Sequence, residues 1–312
     1  MCNVIGLPHF NSEHNPCSLC LANNSTMPHN NWAPSAPWRG TEVTNLLFKA
    51  RLRRPLHPLA GHEIFNVQTY RHDLLHMADH HGVISHICAN ILWTHLSGDR
   101  LTPVLPGDNI EERIGFLNAD LAAYYSANHV ENRLPPFRAE NIKDGPFPEL
   151  KGNNIKAANT RSLVPYIVSL SQPAVSMQNS ELNRHMLKIV SSVHGINEVI
   201  YRAGVFLSPS ELAEVESHVN RLGRHYQKLS TDSFNEGQTR WKTTTKFHYY
   251  VGHLAQQAAL INPCWVQGYS SESMVGTTAQ IYSMCQNGPF HARVQRVVMQ
   301  KYRIGLRLLM DS

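Results

Sequence analysis

Charge is scarce in this chain. Over 312 residues only 16% are Asp, Glu, Lys or Arg, well under the usual quarter, while 42% are apolar. So little charge excludes a solvated, disordered chain and a long coiled coil, both of which need charge on their exposed faces. Polarity comes from Asn, Ser, Gln and 19 histidines instead. Long apolar runs are missing too. Each is interrupted by His, Gly or Gln before the length of a membrane span, which excludes membrane helices and a membrane partner. The opening MCNVIGLPHF lacks the basic start and apolar core of a secretory signal, so the expectation is an intracellular protein, not a secreted one. Cysteine is sparse, at six irregularly spaced positions in a long chain, which argues against a disulfide framework. Cys88 and Cys264 sit in apolar surroundings and read as core residues. The balance of charge is +5 with histidine neutral, which permits a polyanionic partner without requiring one.

What is present centres on HDLLHMADHHGVISHICANILWTH, residues 72–95, which reads as one helix. At helical spacing His72, His76, Asp79, Val83, His86 and Asn90 fall on one stripe, with Leu75, Ala78, Ile84, Ile87, Cys88, Ile91 and Leu92 beside it. Neither Lys nor Glu occurs between Asp73 and Thr94, although a surface helix would carry them. Its polar face therefore points into a cleft or a buried polar network. A satisfied network of His, Asp and Asn and a functional face with two carboxylates are both open readings.

Residues 1–60 are rich in Asn, Pro and His and read as irregular, so something must hold them in place. The candidate is H-x2-C-x2-C at His14, Cys17 and Cys20, with His9 five residues earlier. Two cysteines three apart can share a tetrahedral ion, and zinc favours such sulfur and nitrogen donors. A lone C-x2-C also fits a metal-free thiol pair or a redox pair. Cys2 and the remoter His29 are further candidate ligands. Trp32 and Trp38 flank PSAP, an extended segment suited to packing across a surface, and residues 42–51 have the pattern of a short helix. Arg51, Arg53 and Arg54 form a basic patch, ended by Pro55 and Pro58.

HEIFNVQTY, residues 62–70, reads as a short strand leading into the central helix. Residues 61–108 thus form a strand–helix motif. Residues 109–240 form a helical block, with helices at 109–128, from about 155, at 181–202 and from Ser208. SPSE gives the last of these a capping box with Pro209 at the first helical position; Leu212, Val215, Val219, Leu222, Tyr226 and Leu229 form its buried stripe. A polar gap is expected at 230–238, followed by a helix at about 246–260 that sets Lys246 beside His248 and His253. Residues 241–312 close the chain helically. There Arg293, Arg296, Arg303 and Arg307 share a stripe with no intervening acid, a pattern suited to phosphate contact or to an ordinary solubilising face.

DLLHMADHHGVISHICANIL resembles the Asp-x-Leu-His, Asp-x-x-Gly-Val segment of cut-and-paste transposases of the CACTA-like and Plavaka-like group. KFHYYVGHLAQ resembles their later Lys-x-His helix, YSSES stands where they carry a late Glu, and GLPHFNSEHNPCSLC resembles their Cys-x-x-Cys segment. The whole chain is similar to mobile-element reading frames abundant in dinoflagellates. The resemblance implies a predominantly α chain with a small α/β part, a partial RNase H-like core interrupted by a large helical insertion at 109–240. It implies metal-dependent DNA strand cleavage and transfer with two Mg²⁺ or Mn²⁺ ions. Asp73 or Asp79 would be one catalytic carboxylate and Glu272 another, within about 10 Å of each other. His76 would orient a carboxylate or a leaving oxygen. Zinc would be structural, DNA the partner, the nucleus the location, and a homo-oligomer is allowed. The family places its first catalytic Asp upstream of the Cys pair, where this chain begins at MCNVIG. The expectation is therefore a fragment or mis-started frame, or a degenerate descendant without cleavage activity. Two rivals use the same residues: a non-enzymatic, zinc-stabilised helical protein that binds nucleic acid or serves as a scaffold, and a metal hydrolase built on His72, His76, Asp79, His80 and His81. The second lacks the Glu that H-E-x-x-H uses as its base.

Overall fold

The computed structural model describes residues 16–33, 35–52, 62–63, 65–98, 105–152 and 154–268. All but Gln267 and Gly268 belong to the first of two units, Met1–Val266; the second is Gln267–Ser312. No helix among the described residues is long and apolar enough to cross a membrane.

The described residues are predominantly helical. Helix α1 spans Asn45–Ala50, with the Thr44 hydroxyl accepting from Leu47 N–H. A π-helical turn at Leu75–Asp79 precedes α2, Val83–Ser97, which ends at Gly98 in a left-handed conformation (φ 69°). Helix α3, Ile110–Ala127, is capped by Asn109, and α4 is the short Ala139–Ile142. Helices α5, Ala157–Met177, and α6, Glu181–Arg202, are followed by α7, Pro209–Asn235, with the expected capping box at Ser208 and Glu211. Helix α8 is Thr245–Ala258, and a 3₁₀ turn follows at Pro263–Trp265.

Helix α5 packs on α6, α6 on α7 and α7 on α8, and α2 lies against α5, α6 and α8. Helix α2 is buried on nearly every side, as expected of a helix that is apolar almost all round. One hydrophobic cluster runs from Cys17, Trp32 and Trp38 through α2 and α5 to α8, so residues from 61–108, 109–240 and the C-terminal segment share a core.

Three local expectations are corrected. Residues 72–95 are not one helix. His81 adopts a positive φ of 48°, and Gly82 packs so closely that a Cβ there would stand 2.4 Å from the Met77 carbonyl oxygen. Helical phase is therefore reset between Asp79 and Val83. HEIFNVQTY is not a strand: Asn66 Oδ1 accepts from Gln68 and Thr69 N–H, and the Thr69 hydroxyl accepts from Asn66 N–H. Such local bonds turn the backbone before it can join a ladder. Among the described residues β structure is confined to two isolated bridges, Cys20 with Glu42 and Asn23 with Pro28, so the small α/β part has no strand there. Finally, the expected gap at 230–238 is mostly helix. Helix α7 continues to Asn235, helped by the Lys228–Asp232 pair at 2.8 Å, and Gly237 (φ 67°) supplies the left-handed stop.

The polar stripe of α2 resolves into a buried network. Asn90 Nδ2 donates to the His86 carbonyl, Thr94 Oγ1 donates to the Asn90 carbonyl, and Asn90 Oδ1 accepts from Trp241 N–H at 2.9 Å. Arg240 donates to Thr94 Oγ1 and to Ser97 Oγ, each at 3.0 Å.

Candidate metal centre

Four donors from two distant segments converge: Cys17 and Cys20 from the N-terminal loop, His248 and His253 from α8. Their ligand atoms all lie within 4.8 Å of one another, and all four residues are buried. Cys17 Sγ stands 3.4 Å from His253 Nε2, Cys20 Sγ 3.3 Å from His248 Nε2, and the two Nε2 atoms 3.2 Å apart. A tetrahedral zinc with ordinary Zn–S and Zn–N bonds sets its donors about 3.3–3.8 Å apart, so the arrangement fits such an ion.

The supporting contacts orient each donor. His248 Nδ1 donates to the His29 carbonyl at 2.9 Å, and His253 Nδ1 lies 3.1 Å from Gln256 Oε1. Engaging each Nδ1 leaves Nε2 with its lone pair toward the centre, the usual outer support of a metal-bound imidazole. Leu19 N–H donates to Cys17 Sγ and Ala22 N–H to Cys20 Sγ, which stabilises negative sulfur. Arg51 Nη1 clasps the loop by donating to the Cys17 and Cys20 carbonyls at 3.2 and 3.3 Å. The Tyr249 hydroxyl donates to the Pro16 carbonyl. Trp38 rests edge-on against His248, with ring centroids 4.6 Å apart, and a side chain at Gly252 would press on its ring at 3.0 Å. The tryptophan thus covers the centre, and the glycine makes room for it.

Burial pushes the Cys17 thiol up, whereas its hydrogen bond from Cys17 and the two imidazoles bring Cys20 down to about 2. Burial also lowers His248, which favours the neutral, ligating imidazole. Two sulfurs and two nitrogens suit zinc; they do not suit Mg²⁺ or Mn²⁺, which take oxygen donors.

The sequence pointed to Cys17 and Cys20 but sought their partners in His9 and His14, which lie outside the described residues, as does Cys2. His29 serves through its carbonyl rather than its ring. The missed signal is H-x4-H at His248 and His253, a spacing within the range of zinc-finger histidines. Its 228-residue separation from Cys20 concealed the pairing.

The other expected site residues are dispersed. Asp73 Oδ1 accepts from Leu75 N–H, and its Oδ2 is 2.5 Å from His76 Nδ1 on a partly exposed surface. Asp79 is buried, only 2% exposed; burial, with the neighbouring Asp79 carboxylate second, raises Tyr201 to about 12. Among the described residues Cys17, Cys20, His248 and His253 are the one group of three or more donors placed for a metal. The His72, His76, Asp79, His80 and His81 set does not converge: His72 stacks on Tyr249 at 3.7 Å, and the His76 and His80 rings are 5.7 Å apart, edge to face. Lys246 Nζ donates to the His80 and His81 carbonyls at 3.2 and 2.8 Å. Glu272, Arg293, Arg296, Arg303 and Arg307 lie outside the described residues. In comparisons with known proteins, no family model, curated protein or solved structure matches this chain.

Proposed function

We propose that this protein is a zinc-stapled helical protein that acts by binding, with nucleic acid as its partner, rather than by chemistry at the ion. The observation that carries the reading is the convergence of Cys17, Cys20, His248 and His253, residues as far as 236 positions apart, on one tetrahedral volume. Four protein ligands close the coordination shell, and a closed shell is the mark of a structural ion; catalytic zinc keeps a position open for water or substrate. Here the ion would fasten an irregular, proline-rich segment to α8. Structural zinc supplies on the order of 10 kcal/mol of apparent binding energy near neutral pH, which adds to the apolar packing of Trp32, Trp38, Val43 and Phe48 in holding the segment.

The nucleic-acid part of the proposal is supported by the net charge of +5 and by the unbroken Arg stripe at 293–307, and it makes the nucleus the natural location. Strand cleavage by Mg²⁺ or Mn²⁺ in an RNase H-like core rests on the resemblance alone, and no second donor cluster among the described residues favours it.

Metal analysis of protein purified without chelator is the direct test. About one zinc per chain is expected, lost in the double substitution Cys17→Ser with Cys20→Ser and equally in His248→Ala with His253→Ala, but kept when His9 and His14 are both replaced by Ala. Retention of zinc in the His248/His253 variant would overturn the assignment.

A further inference from the structure

A second site stands beside the metal centre, at the opposite end of α8 from Ala258. Around the N-terminus of that helix, a cavity of about 410 Å³ is lined by Lys242, Lys246, His81, His86, His29 and Thr244, among others. Its size lies within the roughly 300–1,000 Å³ of small-molecule sites. No acidic side chain lines it among the described residues. Glu149, the partner of the lining residue His81 at 3.1 Å from its Nδ1, is also engaged at 3.7 Å by Lys151 Nζ.

Several polar atoms at this cavity have capacity to spare. His86 is only 6% exposed; its Nδ1 lies 3.4 Å from the Pro148 carbonyl oxygen, while its Nε2 has no hydrogen-bond partner among the described residues. His29 Nδ1 and Thr244 Oγ1 are buried and likewise without a partner there. Thr244 is the N-cap of α8 yet makes no side-chain cap bond. Lys246 spends two of its three donors on the His80 and His81 carbonyls, and Lys242 is exposed at the rim. Helix geometry adds the positive end of the dipole. Two ammonium groups, buried imidazole and hydroxyl donors and a helix N-terminus around one hollow make a match for a compact, multiply charged oxyanion.

We infer that this cavity binds a phosphate group. It depends on the metal centre only through His29, which the zinc loop carries, so zinc content is measured in every variant below.

The test titrates inorganic phosphate into the zinc-loaded full chain and follows it by phosphorus NMR and calorimetry. Saturable binding is expected. Lys242→Glu and Thr244→Val should each weaken it about tenfold, the cost of one charge-assisted hydrogen bond. Lys228→Glu, whose lysine pairs with Asp232 away from the cavity, should leave it unchanged. His86→Phe removes the buried donor and should weaken binding similarly; should that variant fail to fold, the exposed Lys242→Glu still decides. Oligonucleotides with and without a 5′-phosphate then identify the source. Loss in Lys242→Glu confined to the phosphorylated strand marks a terminal monoester, equal loss for both marks the diester backbone, and no binding of either beside intact phosphate binding marks the free ion. A zinc-loaded chain that leaves inorganic phosphate unperturbed, or Lys242→Glu binding phosphate like the parent, overturns the inference while the zinc assignment stands. A chain without zinc that still binds phosphate overturns only the metal centre.

Discussion

His95 lies in the last turn of α2 with no exposed surface, and neither ring nitrogen has a hydrogen-bond partner among the described residues. Burial alone takes its pKa from 6.5 down to about 4. Because the folded value is depressed, the unfolded chain takes up the proton first as the solution becomes acidic. The associated stability is complete above pH 6.5, falls as pH drops, and is gone below about 4. The full difference is about 3 kcal/mol. His72, lowered to about 3 chiefly by burial, acts in the same direction. Replacing His95 by Phe should therefore raise the melting temperature at pH 5 by more than at pH 7, and should flatten the acid limb of a stability–pH curve. An unchanged acid limb would show that His95 is solvated or paired in solution. The same substitution should not harm stability at neutral pH, since an unsatisfied buried polar group costs about 1–3 kcal/mol.

Among the elements, the junction between the π-helical turn and α2 is the most constrained. Gly82 sits against the Met77 and Ala78 carbonyl oxygens, which a Cβ would approach to 2.4 and 2.6 Å. Backbone oxygens cannot swing aside as a side chain can, so Gly82→Ala should cost about 2 kcal/mol in urea unfolding. Gly115 is the contrasting case. It lies within α3 with nothing inside 4 Å of an added Cβ, so Gly115→Ala should stabilise by about 0.5–1 kcal/mol. If both substitutions moved stability the same way, close packing at the junction would not be what confines position 82 to glycine.

For the whole molecule, the expected consequence of the staple is a change of order confined to one part. Removing zinc with a chelator, or through Cys17→Ser with Cys20→Ser, should speed amide hydrogen exchange across residues 16–52 first, with α6 protected longest because it packs on α5 and α7, whereas α7 also carries Trp32 of the zinc loop. Uniform loss of protection would mean that the ion supports the entire core. The nucleic-acid partner is tested on the same scale. Replacing Arg296 and Arg303 by Ala should flatten the slope of log affinity against log salt by roughly two, with sequence preference unchanged. A salt slope identical to that of the parent would remove those arginines from the interface, and an intact chain that binds no DNA at low salt would remove nucleic acid as partner.

The helices were legible wherever local chemistry is decisive. The SPSE capping box started α7 at Pro209, and the apolar spacing of Val215, Val219, Leu222, Tyr226 and Leu229 located its buried face. Each of those signals acts within one or two turns, where hydrogen bonds and side-chain spacing are set by adjacent residues. The break at 80–82 was not legible, because it depends on how closely Gly82 approaches carbonyls of the preceding turn. The polar stripe showed that His86 and Asn90 needed partners, but Pro148 and Trp241 supply them from 62 and 151 positions away, and Arg240 meets the neighbouring Thr94 from 146 away. The metal centre divided in the same manner. Its cysteines announced themselves by spacing, while His248 and His253 became ligands only when packing laid the N-terminal loop along α8. Sequence determined which groups have unmet bonding capacity; tertiary structure decided which of them meet, because coordination and burial depend on distance in space and chain separation does not encode it.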